Sequence, residues 1–288
     1  MKTIRPTTAA ELMAVALLAG CGGEIGPTGT QVIDVPKPAG LTQTWDVELS
    51  LGAAQVTVGS KGERLVQGTI TYNAAGLRPV VSVKHRRVQI RQDVYGVLPI
   101  HTRNEWRLQL GRGVPMNLKV KTGASSDEWD LGGLSLRRLS WAQGAGTARL
   151  TFSEPNPERL DRLTITGGAA ALIVRGLANA NLAVAYVNAG VGAVMLVFDG
   201  QLSQDGKVML NGGVSSIALC SGGNPIRLTA EGRLRAILNT GWSQSGNVYY
   251  SPEWASASGP KLTIRARLGL SALELLAGTC RFTPTLAW

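Results

Sequence analysis

Charged side chains are scarce in this chain: Asp, Glu, Lys and Arg together make up 17% of its 288 residues. Aromatic residues account for 5%, and histidine occurs twice. Few long amphipathic helices can be written from so little charge, because such a helix needs a continuous polar face. Glycine, in contrast, occurs 36 times. The composition therefore predicts many short strands and turns, in one large domain or two small ones.

The sequence also lacks the motifs of common catalytic and metal sites. It contains no Gly-x-Ser-x-Gly elbow, no phosphate loop with Gly-Lys-Ser/Thr and no His-Glu-x-x-His. Three cysteines are too few for a four-cysteine metal site, and His85 and His101 show no ligand spacing toward them. In a strand, Asp127 and Glu128 point to opposite faces, which disfavours a calcium site there. We expect no enzyme activity, no metal and no cofactor.

One short pattern recurs between Val120 and Leu219. Its anchors are small residues separated by 21, 22, 24 and 21 positions: Ser125, Gly146, Gly168, Gly192 and Gly213. Large apolar side chains lie four residues after each anchor, and further apolar residues follow two positions later. Copies around Gly52 and Gly269 also fit. Apolar residues two apart on either side of a small residue are typical of two β segments that meet at a turn.

A repeat this short cannot bury its apolar face alone, so its copies are expected to stack. The sequence predicts an all-β fold, a β-helix-like solenoid of stacked coils with rungs of about 21–24 residues. The alternative is an antiparallel meander closed into a sandwich or barrel. In the solenoid, we expect Leu150, Leu172, Leu196 and Ile217 to lie one above the next.

The N-terminal segment predicts export. Residues 1–20 combine a basic start with an apolar stretch far shorter than a membrane span, as in a signal peptide. The sequence Leu18-Ala19-Gly20-Cys21 resembles the bacterial lipobox, which implies lipidation of Cys21 and a lipid-anchored protein on the extracytoplasmic face of the cell membrane. The alternative is an ordinary secretory signal. We divide the remainder into a flexible tether (21–40), an N-terminal β unit (41–117), a repeat β-solenoid (118–278) and a tail (279–288).

Three groups of residues are candidates for a specific role. Cys220 and Cys280 either form a disulfide in an oxidising envelope or remain buried thiols. A basic cluster surrounds a predicted hairpin turn and suits phosphate or carboxylate groups, or else is a solvated tip: Lys84, Arg86, Arg87 and Arg91. An aromatic stretch either stacks on sugars or caps the core: Trp242, Tyr249, Tyr250 and Trp254.

The net charge is basic, with 29 Lys and Arg against 19 Asp and Glu. Because these charges are scattered along the chain, we interpret them mainly as a solvated surface. A carbohydrate-active enzyme would need paired carboxylates on neighbouring rungs. Among the positions just outside the predicted core row, the acidic ones are Asp130 and Glu274, on distant rungs. The middle rungs instead carry Ile173, Val197 and Ala218, which indicates a second layer, a partner, or the N-terminal β unit packed over them.

Several segments together resemble the bacterial cell-envelope proteins with a toast-rack domain, which are related to cell-wall-active antibiotic response proteins and to adhesin-like proteins. The resemblance covers about residues 45–275. Its short motifs are Val47–Ala53, Gly68–Asn73, Asn104–Leu110, Val114–Leu118 leading into Thr122-Gly123-Ala124, Leu131–Leu134 and Ser245–Tyr249, followed by the C-terminal run Leu268–Leu275. The resemblance implies an all-β, exported or membrane-tethered protein with no established enzymatic activity and no catalytic residues to transfer.

These observations predict a membrane-anchored lipoprotein that acts as a non-enzymatic binding, adhesion or envelope-sensing module. Its expected partners are the membrane, through the lipid, and an envelope polysaccharide or a membrane protein, with no nucleic acid. The alternatives are a carbohydrate-active β-helix enzyme and a structural envelope protein that associates with itself.

Overall fold

The computed structural model describes residues 25–40, 42–93, 101–278 and 280. The predicted signal peptide, the predicted lipidation site Cys21, and residues 279 and 281–288 of the predicted tail lie outside these ranges. The described chain contains one short 3-10 helix, Ala75–Leu77, and these strands: β1 (Ile25–Val35), β2 (Trp45–Leu51), β3 (Ala54–Gly62), β4 (Val66–Ala74), β5 (Val80–Lys84), β6 (Arg87–Arg91), β7 (Asn104–Gly111), β8 (Met116–Asp130), β9 (Leu136–Thr151), β10 (Arg162–Arg175), β11 (Val184–Val197), β12 (Gly206–Cys220), β13 (Ile226–Thr240), β14 (Ser243–Ser245), β15 (Val248–Tyr250) and β16 (Leu262–Leu276).

Seven long strands form the body of the protein, stacked in parallel in the order β8, β9, β10, β11, β12, β16 and β13. Partner residues on successive strands from β8 to β12 are one rung of sequence apart, as in Ser125 opposite Gly146. The prediction of an all-β stacked-coil solenoid is therefore confirmed. Antiparallel pairing occurs near its ends, where β4 lies between β1 and β7, β5 pairs with β6, and β15 lies between β13 and β14.

The first rung consists of two short strands. Residues Trp45–Leu51 of β2 lie beside the first half of β8, and Ala54–Val58 of β3 lie beside its second half. The sheet therefore continues without interruption across the boundary predicted between residues 117 and 118.

The prediction of a flexible tether over residues 21–40 is wrong for Ile25–Val35. These residues form β1, which pairs antiparallel with β4. Ile33 and Val35 are buried there, whereas Val32 between them is exposed. This short alternation is sufficient to dock the segment against the core, because a strand needs only one buried face.

A column of glycines marks the bend in each rung from the first one to β16. Its members are stacked so closely that a Cβ on Gly168 would collide with the carbonyl oxygen of Gly144, and one on Gly269 would collide with that of Gly213. A residue with a side chain cannot occupy such a position without displacing the backbone. The column consists of Gly52, Gly123, Gly144, Gly168, Gly190, Gly213 and Gly269.

The sequence pattern predicts this bend, but the anchors chosen from it belong to two columns that lie two residues apart. Of the proposed anchors, Gly168 and Gly213 belong to the glycine column, while Gly146 and Gly192 lie two residues beyond it. As a result, Leu172 and Ile217 do not stack on Leu150 and Leu196 as expected. The actual core column contains Trp129, Leu150, Val174, Leu196, Leu219 and Leu275, and Leu172 and Ile217 belong to its neighbour.

The bend divides each long strand into a first arm, before the glycine column, and a second arm, after it. Inward side chains of both arms belong to one continuous hydrophobic core, as Leu118 and Val120 do from the first arm of β8 and Trp129 from its second arm. We call the outer surface of the first arms the first face and that of the second arms the second face.

Cys220 at the end of β12 forms a disulfide with Cys280, with their Cα atoms 6.3 Å apart. The bond ties the C-terminal segment to the second face. A small apolar cluster lies beside it and contains Met195, Val197, Ile173, Ala218, Leu276 and Cys280. The outward apolar positions recognised on the middle rungs therefore belong to a second, smaller layer.

Candidate functional site

The hairpin β5–β6 places the predicted basic cluster at one end of the first face. Lys84 ends β5 opposite Arg87, the first residue of β6, and β6 pairs with β2. The turn between them contains His85, whose φ of 54° is in the left-handed region. Lys84, Arg86 and Arg87 are all exposed. The hairpin thus presents three cations at the edge of the solenoid.

Two concave regions meet at this hairpin and together form what we call the basic groove. The larger has a volume of about 780 Å³ and is lined by Lys84, His85, Arg86 and Arg87 together with polar side chains. The smaller, about 440 Å³, extends across the first face to Arg162. Asp46, Arg87 and Asn117 line both. The basic residues that the smaller region adds are Lys119, Arg138 and Arg162.

Strand register brings Arg138 and Arg162 into the groove. Arg138 on β9 is the direct partner of Arg162 on β10, and Asn117 on β8 is the partner of Arg138. Each of the three lies six residues before a glycine of the column. Sequence reasoning missed both arginines because the anchors it used did not share one phase. The signal was present in the sequence, since equal distance from the bend places residues in one row.

The acidic residues of the groove are already paired. Asp46 is 3.8 Å from Arg87, and Glu48 contacts Lys119 at 2.9 Å. The hydrogen bond from Lys119 holds the pKa of the Glu48 carboxyl below its ordinary value, with a smaller contribution from Gln89. Among the described residues, Arg138 and Arg162 have no acidic partner, although the Arg162 guanidinium lies 5.4 Å from the Tyr186 ring centroid.

Two unpaired guanidinium groups on adjacent strands repel each other, because like charges directly opposite in a sheet are destabilising. A bound anion would remove that repulsion and accept hydrogen bonds from both groups. Guanidinium groups suit phosphate and carboxylate in particular, since their planar donors match two oxygens at once. The geometry of the groove is therefore suited to binding anionic groups.

The other predicted binding residues do not join this groove. Arg91 lies on the first face at the far end of β6, 3.6 Å from Asp93. Trp242 and Tyr249 are 5% and 3% exposed and belong to the core, so their assignment to a ligand surface is wrong. They lie at the last rung, β13, where the antiparallel strands β15 and β14 continue the sheet beside its first arm. Tyr250 and Trp254 are partly exposed and contact each other at 5.8 Å between ring centroids.

The two acidic positions considered for a carbohydrate-active site are far apart. Asp130 is on β8 and Glu274 on β16, with four strands between them. At about 4.8 Å per strand, this separation is roughly 24 Å, well beyond the spacing of paired catalytic carboxylates. Asp130 instead accepts hydrogen bonds from Ser153 and the Gly132 amide. Asp130 therefore has a structural environment, and the two carboxylates do not form a pair.

Two further observations concern the described ranges as a whole. Nowhere in them do three or more His, Cys, Asp or Glu side chains converge in an arrangement that could hold a metal ion. Within the same ranges, no helix has the length and apolar character needed to cross a membrane.

The chain was compared with solved structures. A putative cell adhesion protein from Clostridium sporogenes is 17% identical, with a TM-score of 0.48 and coverage of 87% of this chain and 99% of that one. A putative adhesin from Bacteroides fragilis is 10% identical, with a TM-score of 0.42 and coverage of 87% and 97%. A putative lipid binding protein from Parabacteroides distasonis is 11% identical, with a TM-score of 0.39 and coverage of 88% and 98%.

Among curated proteins, no relative matches the chain. A family model does match residues 26–175, and its description is the N-terminal domain of toast_rack, DUF2154. The match extends from β1 to the end of β10 and covers more than half of the chain. It confirms the resemblance recognised in the sequence motifs, and the chain belongs to the toast_rack family.

Proposed function

We propose that this protein is a non-enzymatic binding module of the bacterial cell envelope that recognises phosphate or carboxylate groups through the basic groove. The lipobox-like Cys21 would hold the protein at the extracytoplasmic face of the membrane, where the groove meets envelope polymers. Such a module would serve either adhesion or envelope sensing.

The single observation that carries this proposal is the convergence of unpaired cations in an open concavity. Lys84, Arg86, Arg138 and Arg162 come from three separate parts of the chain, and none has an ion pair among the described residues. Concentrating positive charge in this way has an electrostatic cost in the free protein. An anionic ligand would offset that cost.

The groove is tested by binding measurements on an array of phosphate-bearing, carboxylate-bearing and neutral wall polymers. The probe is the whole chain with Cys21→Ala, which keeps it free of lipid. We expect binding to the anionic polymers and a loss of about tenfold or more in affinity when Arg138→Ser and Arg162→Ser are combined.

The matched control combines Arg149→Ser and Arg175→Ser, which remove two arginines from the second face. This variant should bind as the parent does. If both double variants lose affinity equally, the effect is one of net charge and the groove is not the site.

The anchor is tested separately, by membrane fractionation of cells that produce the chain with Cys21 or with Cys21→Ala. We expect the first in the membrane fraction, with incorporation of labelled fatty acid, and the second in the soluble fraction. Equal membrane association of both forms would contradict lipidation at this residue.

A second candidate function, self-association, is favoured by an apolar ridge at the bend. Val191 and Val214 are direct partners on β11 and β12 and are 59% and 54% exposed. Leu270 on β16 follows the next glycine of the column and is also exposed. Sedimentation of the parent and of Val191→Ser with Val214→Ser tests this. A monomer at all concentrations would exclude the ridge as a contact between copies.

A further inference from the structure

We propose that the basic groove is one end of a longer track, on which a linear polyanion lies across the strands of the first face. This inference rests on the proposed function, because it extends the same anion-binding site. The proposed ligand is a flexible chain with repeating phosphate or carboxylate groups and not a single small anion.

The track follows one row of outward positions across nine strands. Starting in the groove, the row crosses β6, β2, β8, β9, β10, β11, β12, β16 and β13, and five of its nine positions are basic. Eight strand spacings of about 4.8 Å give the row a length of roughly 38 Å. The row contains Arg87, Asp46, Asn117, Arg138, Arg162, Val184, Lys207, Thr263 and Arg227.

Charge is separated between the two faces. The basic residues on the outward positions of the first face are Arg87, Arg91, Lys119, Lys121, Arg138, Arg162, Lys207, Arg227, Arg265 and Arg267. The acidic ones are Asp46, Glu48 and Glu231, and each of these contacts a basic residue of the same face. On strands β8–β12 and β16, the second face carries Arg149 and Arg175 against Glu128, Asp130 and Glu274, and on β13 Arg233 is exposed at the bend.

The arrangement favours a linear polymer over a membrane surface. None of the large apolar side chains that are more than a third exposed lies on the first face between β2 and β13. The exposed apolar side chains of β11, β12 and β16 lie at the bend instead. A surface that docks on lipid usually adds apolar groups to its positive charge. The cations instead continue the groove in a single row, as expected for a site that follows a chain of charges.

The arrangement also differs from that of single-stranded nucleic acid sites. Such sites combine cations with aromatic rings on which bases stack. Between β6 and β13, the one outward aromatic side chain of the described first face is Tyr186, and the Arg162 guanidinium already covers it. Tyr250 on β15, opposite Arg227 at the end of the row, packs against Trp254.

The test compares a long and a short probe on the whole chain with Cys21→Ala. The long probe is polyphosphate that spans more than the length of the row, and the short probe is inorganic tripolyphosphate. The distal variant combines Lys207→Gln and Arg227→Gln, outside the groove, and the control combines Arg149→Gln and Arg175→Gln. Folding of each variant is checked by its thermal unfolding curve.

We expect the distal variant to bind the long probe about tenfold more weakly and the short probe as the parent does, because only the long chain engages both ends of the row. The control should match the parent for both probes. If the distal variant binds both probes as the parent does, the track is wrong and the groove proposal stands. If neither probe binds the parent, recognition of phosphate by the groove and by the track is wrong.

Two comparison ligands separate the polymer from other anionic partners. Vesicles of phosphatidylglycerol and phosphatidylcholine present a flat anionic surface, and a single-stranded oligonucleotide presents phosphates together with bases. Polyphosphate should bind more tightly than either at equal phosphate concentration. Tighter binding to vesicles or to the oligonucleotide would overturn the assignment of the track to a linear envelope polyanion.

Discussion

At the scale of single residues, Asp127 is a carboxyl group inside the solenoid. It is 4% exposed and lies between Val56 and Ala148 in the inward row next to the core column. Its Oδ2 accepts hydrogen bonds from Ser125, Thr122 and Gln143. Its Oδ1 has no partner within the described chain. Burial raises the pKa of Asp127 from 3.8 to about 6, while the Ser125 and Thr122 hydroxyls act in the opposite direction.

This environment predicts that Asp127 makes the fold less stable as the pH rises. The folded pKa is above the unfolded value, so the favourable contribution is complete below pH 3.8 and is lost as the pH approaches 6. The difference corresponds to roughly 3 kcal/mol of unfolding free energy at pH 7. We expect Asp127→Asn to be more stable than the parent at pH 7 and to lose this advantage near pH 4, as measured by urea unfolding.

The control for Asp127 is Glu128→Gln, because the neighbouring Glu128 side chain is exposed on the second face. It should retain the pH dependence of the parent. A parallel pH dependence of Asp127→Asn and the parent would show that the buried carboxyl is not its source.

The glycine column gives a second prediction at this scale. Gly168→Ala places a Cβ against the Gly144 carbonyl oxygen, so the rungs must separate locally. We expect a loss of about 2 kcal/mol or more in unfolding free energy, measured by guanidinium denaturation. Gly76→Ala is the matched control, since nothing lies within 4 Å of the added carbon. Equal stability of the two variants would contradict the close stacking at the bend.

At the scale of elements, the repeat was predictable from sequence and its exact alignment was not. Apolar alternation around small residues predicted one bend per rung, and β8–β12 confirm it. The alignment slipped by two residues at Gly146 and Gly192, because a second small residue follows the bend in these rungs. Alternation has a period of two, so a slip of two leaves every inward residue inward and is invisible in the pattern.

The same dependence on strand register explains why two residues of the candidate site were not predicted from the sequence. Lys84, Arg86 and Arg87 are close in sequence and were recognised as a cluster. Arg138 and Arg162 become their neighbours only through parallel pairing of β9 and β10. The β1 strand was missed for another reason, since its two buried residues, Ile33 and Val35, are too few to form a recognisable period.

The cap of the last rung gives a prediction at the scale of elements. Trp242 is buried at the end of the core. The Asn239 side-chain amide donates from Nδ2 to the Trp242 carbonyl and accepts at Oδ1 from the Trp242 N–H. We expect Trp242→Ala to lower the unfolding free energy by about 3 kcal/mol, because it opens a cavity under β14 and β15. Trp254→Ala, which removes a partly exposed ring near Lys261, should cost less than about 1 kcal/mol.

Chemical denaturation of both variants tests this cap. Comparable losses for Trp242→Ala and Trp254→Ala would contradict the assignment of Trp242 to the core and would restore the aromatic stretch as a candidate binding surface.

At the scale of the whole molecule, the fold concentrates the positive net charge on one face. In the sequence the basic residues are scattered, which favoured a general solvated surface. Stacking places residues that are one rung apart side by side, so cations from seven strands accumulate on the first face as Arg87, Lys119, Arg138, Arg162, Lys207, Arg265 and Arg227. The second face keeps a near balance of charge. The two faces therefore differ in charge, and strand register determines which of them is suited to bind anions.

The most direct test of this account is the affinity of Arg138→Glu for polyphosphate, measured by calorimetry beside Arg149→Glu. Arg138→Glu places a carboxylate next to Arg162, which should leave stability equal to that of the parent or raise it by about 0.5 kcal/mol. We expect the affinity of this variant to fall by more than about tenfold, and the affinity of Arg149→Glu to change by less than about threefold. Equal affinities of the two variants would contradict the claim that the first face is the anion-binding side.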